Sequence, residues 1–161
     1  MAIPFSKNKK DEIAEKLKEG AIISAAEIGM KKTSVDSLVA YAGISKGAFY
    51  NFFKSKDELF LEVVEDWHTE IYGTALECLI QNNGMSYKSK AAKAILQACV
   101  MMYKYSVMKF IKEDLPQLLE NIDGTELMDR YHGDEIHINE VIKFSGIKLL
   151  VTDEDAVNTI K

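Results

Sequence analysis

"GISKGAFYNFFKSK", residues 43–56, sets four aromatic rings, three lysines and two glycines within fourteen positions. The 161-residue chain around it carries a formal net charge of -5, so a basic, aromatic segment here asks for a reason. Its neighbours supply a frame. Upstream, Val35, Leu38, Val39 and Ala42 fall at i, i+3, i+4 and i+7, the spacing of a short amphipathic helix that Thr33 or Ser34 can cap. Gly43-Ile44-Ser45 makes a turn, and Ser45 is placed to cap a third short helix over 46–52. Downstream, Ser55 with Glu58 three residues later has the pattern of a capping box. Leu59, Val63, Trp67 and Ile71 then run down one face of a helix expected over 57–80.

Helical spacing continues in both directions. Ile13, Leu17, Ala21 and Ala25 keep a four-residue stripe; Gly20 weakens that helix by about 1 kcal/mol, and Gly29 is placed to end it. The segment 88–112 is apolar nearly all round between Ala94 and Met102, which predicts a helix buried among others. Leu115-Pro116 restarts the chain, Asp123-Gly124 and Gly133-Asp134 mark turns, and shorter helices fit 116–122, 125–131 and 134–145. The alternation of a half-buried strand is missing throughout. The fold class expected is all-α.

Composition narrows the setting. Hydrophobic residues make up 47% and charged residues 28%, as in an ordinary globular protein. Cys78 and Cys99 match neither a metal spacing nor a disulfide framework, so a reducing cytoplasm is expected. The N-terminus lacks an apolar stretch of signal-peptide length, and the most apolar run, 91–111, is broken by Lys93, Gln97, Lys104 and Lys109, which argues against a membrane span. Charge is divided unevenly: residues 1–56 carry a balance of +4 and residues 57–161 one of -9. A basic head on an acidic body points to a polyanion as the partner of the head.

Two short helices joined by a glycine turn are a helix-turn-helix, whose second helix enters the DNA major groove while the first crosses the backbone. Residues at the start of 46–52 must then be small or donors, and Ser45, Lys46, Gly47 and Ala48 satisfy that condition. Tyr50 offers a hydroxyl to a phosphate, Lys54 and Lys56 lie where the strand backbone passes, and Phe49 and Phe53 read as core. Arg130 is the sole arginine of the chain, so bidentate guanine reading by arginine is missing from the head. Base readout then leans on Lys46, Asn51 and apolar contacts to thymine methyls.

The ordered string "TSVDSLVAYAGISKGAFYNFFKSKDELF", residues 33–60, resembles the DNA-binding domain of the TetR family of transcriptional repressors. Thr33-Ser34-Val35 matches its second-helix start, Ala42–Ser45 its turn, Gly47, Phe49, Tyr50 and Phe53 its recognition helix, and Ser55, Lys56, Glu58 and Leu59 the start of its fourth helix. Phe52 stands where the family often carries a polar or histidine side chain. The resemblance implies phosphate contacts from Thr33 or Ser34, Tyr50 and Lys56, with Lys46, Gly47 and Ala48 as the base-facing edge. It also implies a three-helix DNA-binding domain over 1–56, continuing through linking helix 57–80, and a helical regulatory domain over 57–161 that encloses a ligand and forms a homodimer. A near-palindromic double-stranded operator and a small apolar or amphipathic effector follow from the same likeness.

Candidate lining residues for that effector are Trp67, His68, Tyr72, Met101, Met102, Tyr105 and Met108, although the same residues also read as the core of a bundle. His132, Glu135 and His137 read as solvated surface in a turn-rich context, and neither a metal nor a cofactor is expected. An enzyme is disfavoured by the lack of a phosphate-binding glycine loop, a G-x-S-x-G elbow or an H-E-x-x-H. The remaining alternative is a helical scaffold that binds protein alone, which would not need a lysine on its recognition helix. Thr152 and Asp155 start a last helix that stops at Lys161. Family members usually continue for a few dozen residues, so the expectation is either a shortened product or a different mode of dimerisation.

Overall fold

The computed structural model describes residues 7–81 and 84–124, and these are helical with connecting turns. The order is α1 (Lys7–Ile28), a 3-10 turn (Met30–Lys32), α2 (Val35–Ala42), α3 (Lys46–Phe49), α4 (Lys56–Gln81), α5 (Tyr87–Lys104), α6 (Val107–Glu113) and α7 (Leu115–Asn121). The helices expected over 125–131 and 134–145, the His132–His137 segment and the last helix lie outside the described residues.

The chain divides into two compact units. The first holds residues up to Asp66 together with Tyr105–Asn121, and the second contains Trp67–Lys104. In the first, α1 buries Ile13, Leu17, Ala21 and Ala25 against α2, which turns Leu38, Val39 and Ala42 inward. Gly20 has a packing reason: a Cβ there would meet the Tyr41 ring at 2.9 Å. Phe49 and Phe53 close the core from below the turn, at 0% and 2% exposure, their rings 5.9 Å apart. Complete burial of such a side chain contributes roughly 1.5–3 kcal/mol, so this cluster holds α2 and α3, which are too short to be stable alone.

Segments distant in sequence complete the first unit. Phe110 of α6 stacks on Phe60 of α4 at 5.9 Å. Lys109 donates to the Ala26 carbonyl at 2.7 Å, and Asn121 donates to Asp57 at 3.2 Å. The second unit joins α4 to α5 through Cys78, Leu79 and Ala94.

Two expectations for the body are corrected. The helix expected over 88–112 is interrupted at Ser106, which adopts the left-handed conformation with φ 55° and separates α5 from α6. The uniformly apolar stretch of α5 is not buried all round: Ile95, Leu96 and Val100 are 64%, 61% and 51% exposed. Only the Lys90 and Ala94 line of α5, one turn apart, is buried among the described residues, so the outer positions face away from α4.

Candidate nucleic-acid interface

The recognition unit is built by local capping. Ser34 caps α2 by accepting from the Ser37 N–H at 3.1 Å, while the Ser37 hydroxyl reaches back to the Ser34 N–H. Gly43 ends α2 at φ 70°, in the left-handed region, and a Cβ there would meet no atom within 4 Å. Conformation rather than space therefore calls for glycine. Ser45 caps α3, accepting from the Ala48 N–H at 3.2 Å. The regular part of α3 is Lys46–Phe49, shorter than the 46–52 expected; the chain continues in tighter turns, with the Phe52 and Phe53 N–H groups both donating to the Phe49 carbonyl.

Ser45, Lys46, Gly47, Tyr50 and Asn51 are exposed together, with Ala48 half-buried beside them. The Tyr50 ring meets Phe49 edge-on at 5.3 Å while the residue stays 53% exposed, so the ring is braced at the surface. Gly47 faces open space: a Cβ there would meet nothing within 4 Å. Folding therefore does not demand a glycine at that position.

Lys46 is not idle in this structure. Its ammonium donates to Asp36 at 2.9 Å, and the hydrogen bond to that carboxylate, followed by its charge, raises the Lys46 pKa above its ordinary 10.5. Asp36, exposed at the start of α2, was not legible as part of the site because it lies ten residues upstream and on another helix.

Two expected phosphate contacts are placed elsewhere. Thr33 is 2% exposed, and its hydroxyl donates to the Gly29 carbonyl at 3.0 Å, so it closes the 3-10 turn instead of facing outward. Lys56 donates to the Met30 carbonyl at 2.8 Å and to the Thr33 carbonyl at 2.9 Å, tying the start of α4 to the approach to α2. The other side of the same turn is held by Asp114, 8% exposed, which accepts from the Met30 N–H at 3.0 Å across 84 positions of chain. Gly29, at φ 84°, brings the turn within reach of that carboxylate. Ser34 and Lys54 remain outward-facing, and Lys54 lies 3.6 Å from the Glu58 carboxylate. The capping box at α4 is shifted by one residue: Ser55 accepts from the Glu58 N–H at 3.0 Å, while Glu58 accepts from the Lys54 N–H.

A groove of about 1110 Å³ opens beside α3, lined by Gly43, Ser45, Gly47, Ala48, Asn51 and Phe52 on one side and by α1 on the other. The residues named as a ligand cluster are divided between the two units. Trp67, His68, Tyr72, Met101 and Met102 belong to the second unit, whereas Tyr105 and Met108 belong to the first, where Met108 is 58% exposed. Trp67 is buried at 4%, and the His68 and Tyr72 rings lie 4.4 Å apart. The described residues contain no cluster of three metal-ligating side chains and no helix long and apolar enough to cross a membrane.

Comparison with known proteins agrees with this arrangement. Residues 19–63 match the family model of bacterial regulatory proteins, tetR family. The HTH-type transcriptional regulator YdgC of Bacillus subtilis is 24% identical over 144 residues, covering 80% of this chain and 73% of its own length. The HTH-type transcriptional repressor KstR2 of Mycolicibacterium smegmatis is 31% identical over 99 residues, covering 57% of this chain but 47% of that protein. A solved structure of a Clostridium perfringens regulator assigned to fatty acid metabolism shares the fold, with a TM-score of 0.52 at 22% identity over 90% of this chain and 79% of that one. Capped helix-turn-helix, exposed helix start and matched sequence agree: residues 19–63 form a DNA-binding domain of the tetR family of bacterial regulatory proteins, in a chain similar to HTH-type transcriptional regulators.

Proposed function

We propose that this chain is a repressor that holds a near-palindromic operator as a homodimer and leaves it when a small apolar or amphipathic effector binds its body. The observation that carries this reading is the reading edge itself. Ser45, Lys46, Gly47 and Asn51 face outward on a platform whose underside, Phe49 and Phe53, is fully buried, so the edge is held rigidly for one groove. A helix as short as α3 reads only a few base pairs, and two copies related by a twofold axis supply the remaining specificity. Repression is favoured by the likeness to KstR2, which is a repressor. Residues 1–56 read DNA in this scheme, and 57–161 regulate.

Within the second unit, Trp67, His68, Tyr72, Met101 and Met102 offer aromatic and thioether surface suited to an apolar guest. An effector that prefers the released form about a hundredfold supplies roughly 2.7 kcal/mol of coupling, enough to change operator occupancy. Selection of bound sequences from a random duplex pool tests the core of the proposal. A symmetric consensus with two half-sites is expected. Recovery of no consensus, with binding equal on all duplexes, sinks it.

A second reading rests on α5, whose Ile95, Leu96, Val100 and Tyr103 are more than half exposed. Such a face suits a helical scaffold that binds protein. Under that reading Val100→Glu would change self-association or partner binding, and DNA would have no effect on either.

A further inference from the structure

The groove beside α3 has a second wall that the helix-turn-helix does not explain. Lys9, Lys10, Glu12, Ile13 and Lys16 of α1 line it, opposite Ser45, Gly47, Ala48 and Asn51. Ile13, at 6% exposure, anchors this stretch of α1 in the core, so the three exposed lysines are carried on a fixed helix rather than a loose arm. Lysines on α1 divide into two kinds. Lys18 faces α4, whose Glu62 and Asp66 lie 3.5 and 2.8 Å from its ammonium, with Glu15 of α1 itself at 3.6 Å. Lys10 and Lys16 form no ion pair among the described residues, and both border the groove.

We propose that this groove takes the phosphate backbone of the strand bordering the major groove, with Lys9, Lys10 and Lys16 as phosphate contacts outside the helix-turn-helix. The inference rests on the DNA-binding reading above and extends its footprint. Charge supports a polyanion: the α1 wall carries three ammonium groups against the single carboxylate of Glu12. Size admits a strand, since the groove of about 1110 Å³ is at least as large as the roughly 300–1,000 Å³ of small-molecule pockets. Continuity is the third support. Gly47, Ala48 and Asn51 border both the groove and the reading edge, so a duplex seated on α3 brings one of its strands past α1. Phosphates held there fix register without reading sequence.

The test is a salt series with Lys10→Ala/Lys16→Ala and the parent protein on the selected duplex and on a random one. Each phosphate contact contributes about 0.9 to the slope of log K against log salt, so the double variant should lose about 1.8. Between 50 and 200 mM salt, the parent should therefore lose about twelvefold more affinity than the variant. The ratio of selected to random affinity should not change. Trimming the duplex at its outer ends should weaken the parent more than the variant, which keeps one of the three lysines. A parent that binds DNA with a steep salt slope, beside a variant of unchanged slope, overturns the α1 assignment alone. A parent that shows no salt-dependent binding to any duplex overturns the DNA-binding reading itself.

Discussion

At the scale of single residues, Gly47 separates folding from reading most clearly. With nothing within 4 Å of its would-be Cβ, Gly47→Ala should raise helix stability by roughly 0.5–1 kcal/mol. The same methyl would stand between α3 and the base edges, so affinity for the selected duplex should fall. Thermal melts and gel shifts on one preparation check both signs; an unchanged affinity would remove the close-approach role. Lys46 makes a related case. Its ammonium is held 2.9 Å from Asp36 in the free protein and must exchange that partner for a base or a phosphate. Asp36→Asn frees the lysine and removes an anion from the reading face, so binding to random duplex should rise several-fold while discrimination declines. Lys46→Ala should instead alter which sequence is preferred, whereas Tyr50→Phe should weaken all sequences alike. Equal losses from Lys46→Ala on selected and random duplex would reassign it to a phosphate.

Between elements, the 3-10 turn Met30–Lys32 is the joint on which the orientation of α2 depends. Asp114 holds its first N–H, and Lys56 holds the Met30 and Thr33 carbonyls, so one short turn is fixed by charged side chains from α4 and the α6–α7 corner. Charge-assisted hydrogen bonds of this kind contribute about 1.5–3 kcal/mol, and losing one partner leaves the other buried without compensation. Asp114→Ala should therefore cost about 2–3 kcal/mol in urea unfolding, and Asp114→Asn, which keeps an acceptor, should recover most of it. Lys56→Met should destabilise the fold by a similar amount. If it weakens DNA binding with no loss of stability, the phosphate role expected from the sequence is the correct one.

The α1–α4 contact has its own signature in Lys18. Burial works to lower the pKa of this ammonium, but the hydrogen bond and charge of Asp66, aided by Glu15 and Glu62, outweigh it and hold the pKa above 10.5. A raised folded-state pKa adds stability that is fully present below the unfolded value and is lost as pH rises through the folded one. Stability should thus fall above about pH 10.5 more steeply in the parent protein than in Lys18→Met, read by denaturant midpoints across that range.

For the whole molecule, the division of charge into a +4 head and a -9 body favours contact of a polyanion with the head over the body. Sedimentation with and without the selected duplex should give two chains per site. A complex with one chain on DNA would remove the homodimer from the scheme.

What the sequence determined by itself is local. Capping serines, the Gly43 turn and the four-residue apolar stripes act within a few positions of chain, so the helix-turn-helix and its outward-facing Lys46, Gly47 and Asn51 were legible before any tertiary contact. What only the tertiary structure decided is the partner of each charged or polar side chain, because that choice depends on residues brought together across long spans. Thr33 and Lys56 sit beside exposed residues in the sequence, yet their hydrogen bonds fall within the joint. Asp114 meets Met30 over 84 positions, and neither residue carries a local signal for the other. The apolar run of α5 has the same limit. Hydrophobicity predicts that Ile95, Leu96 and Val100 favour burial, but only packing assigns a helix face to a neighbour, and α4 takes the Lys90–Ala94 side.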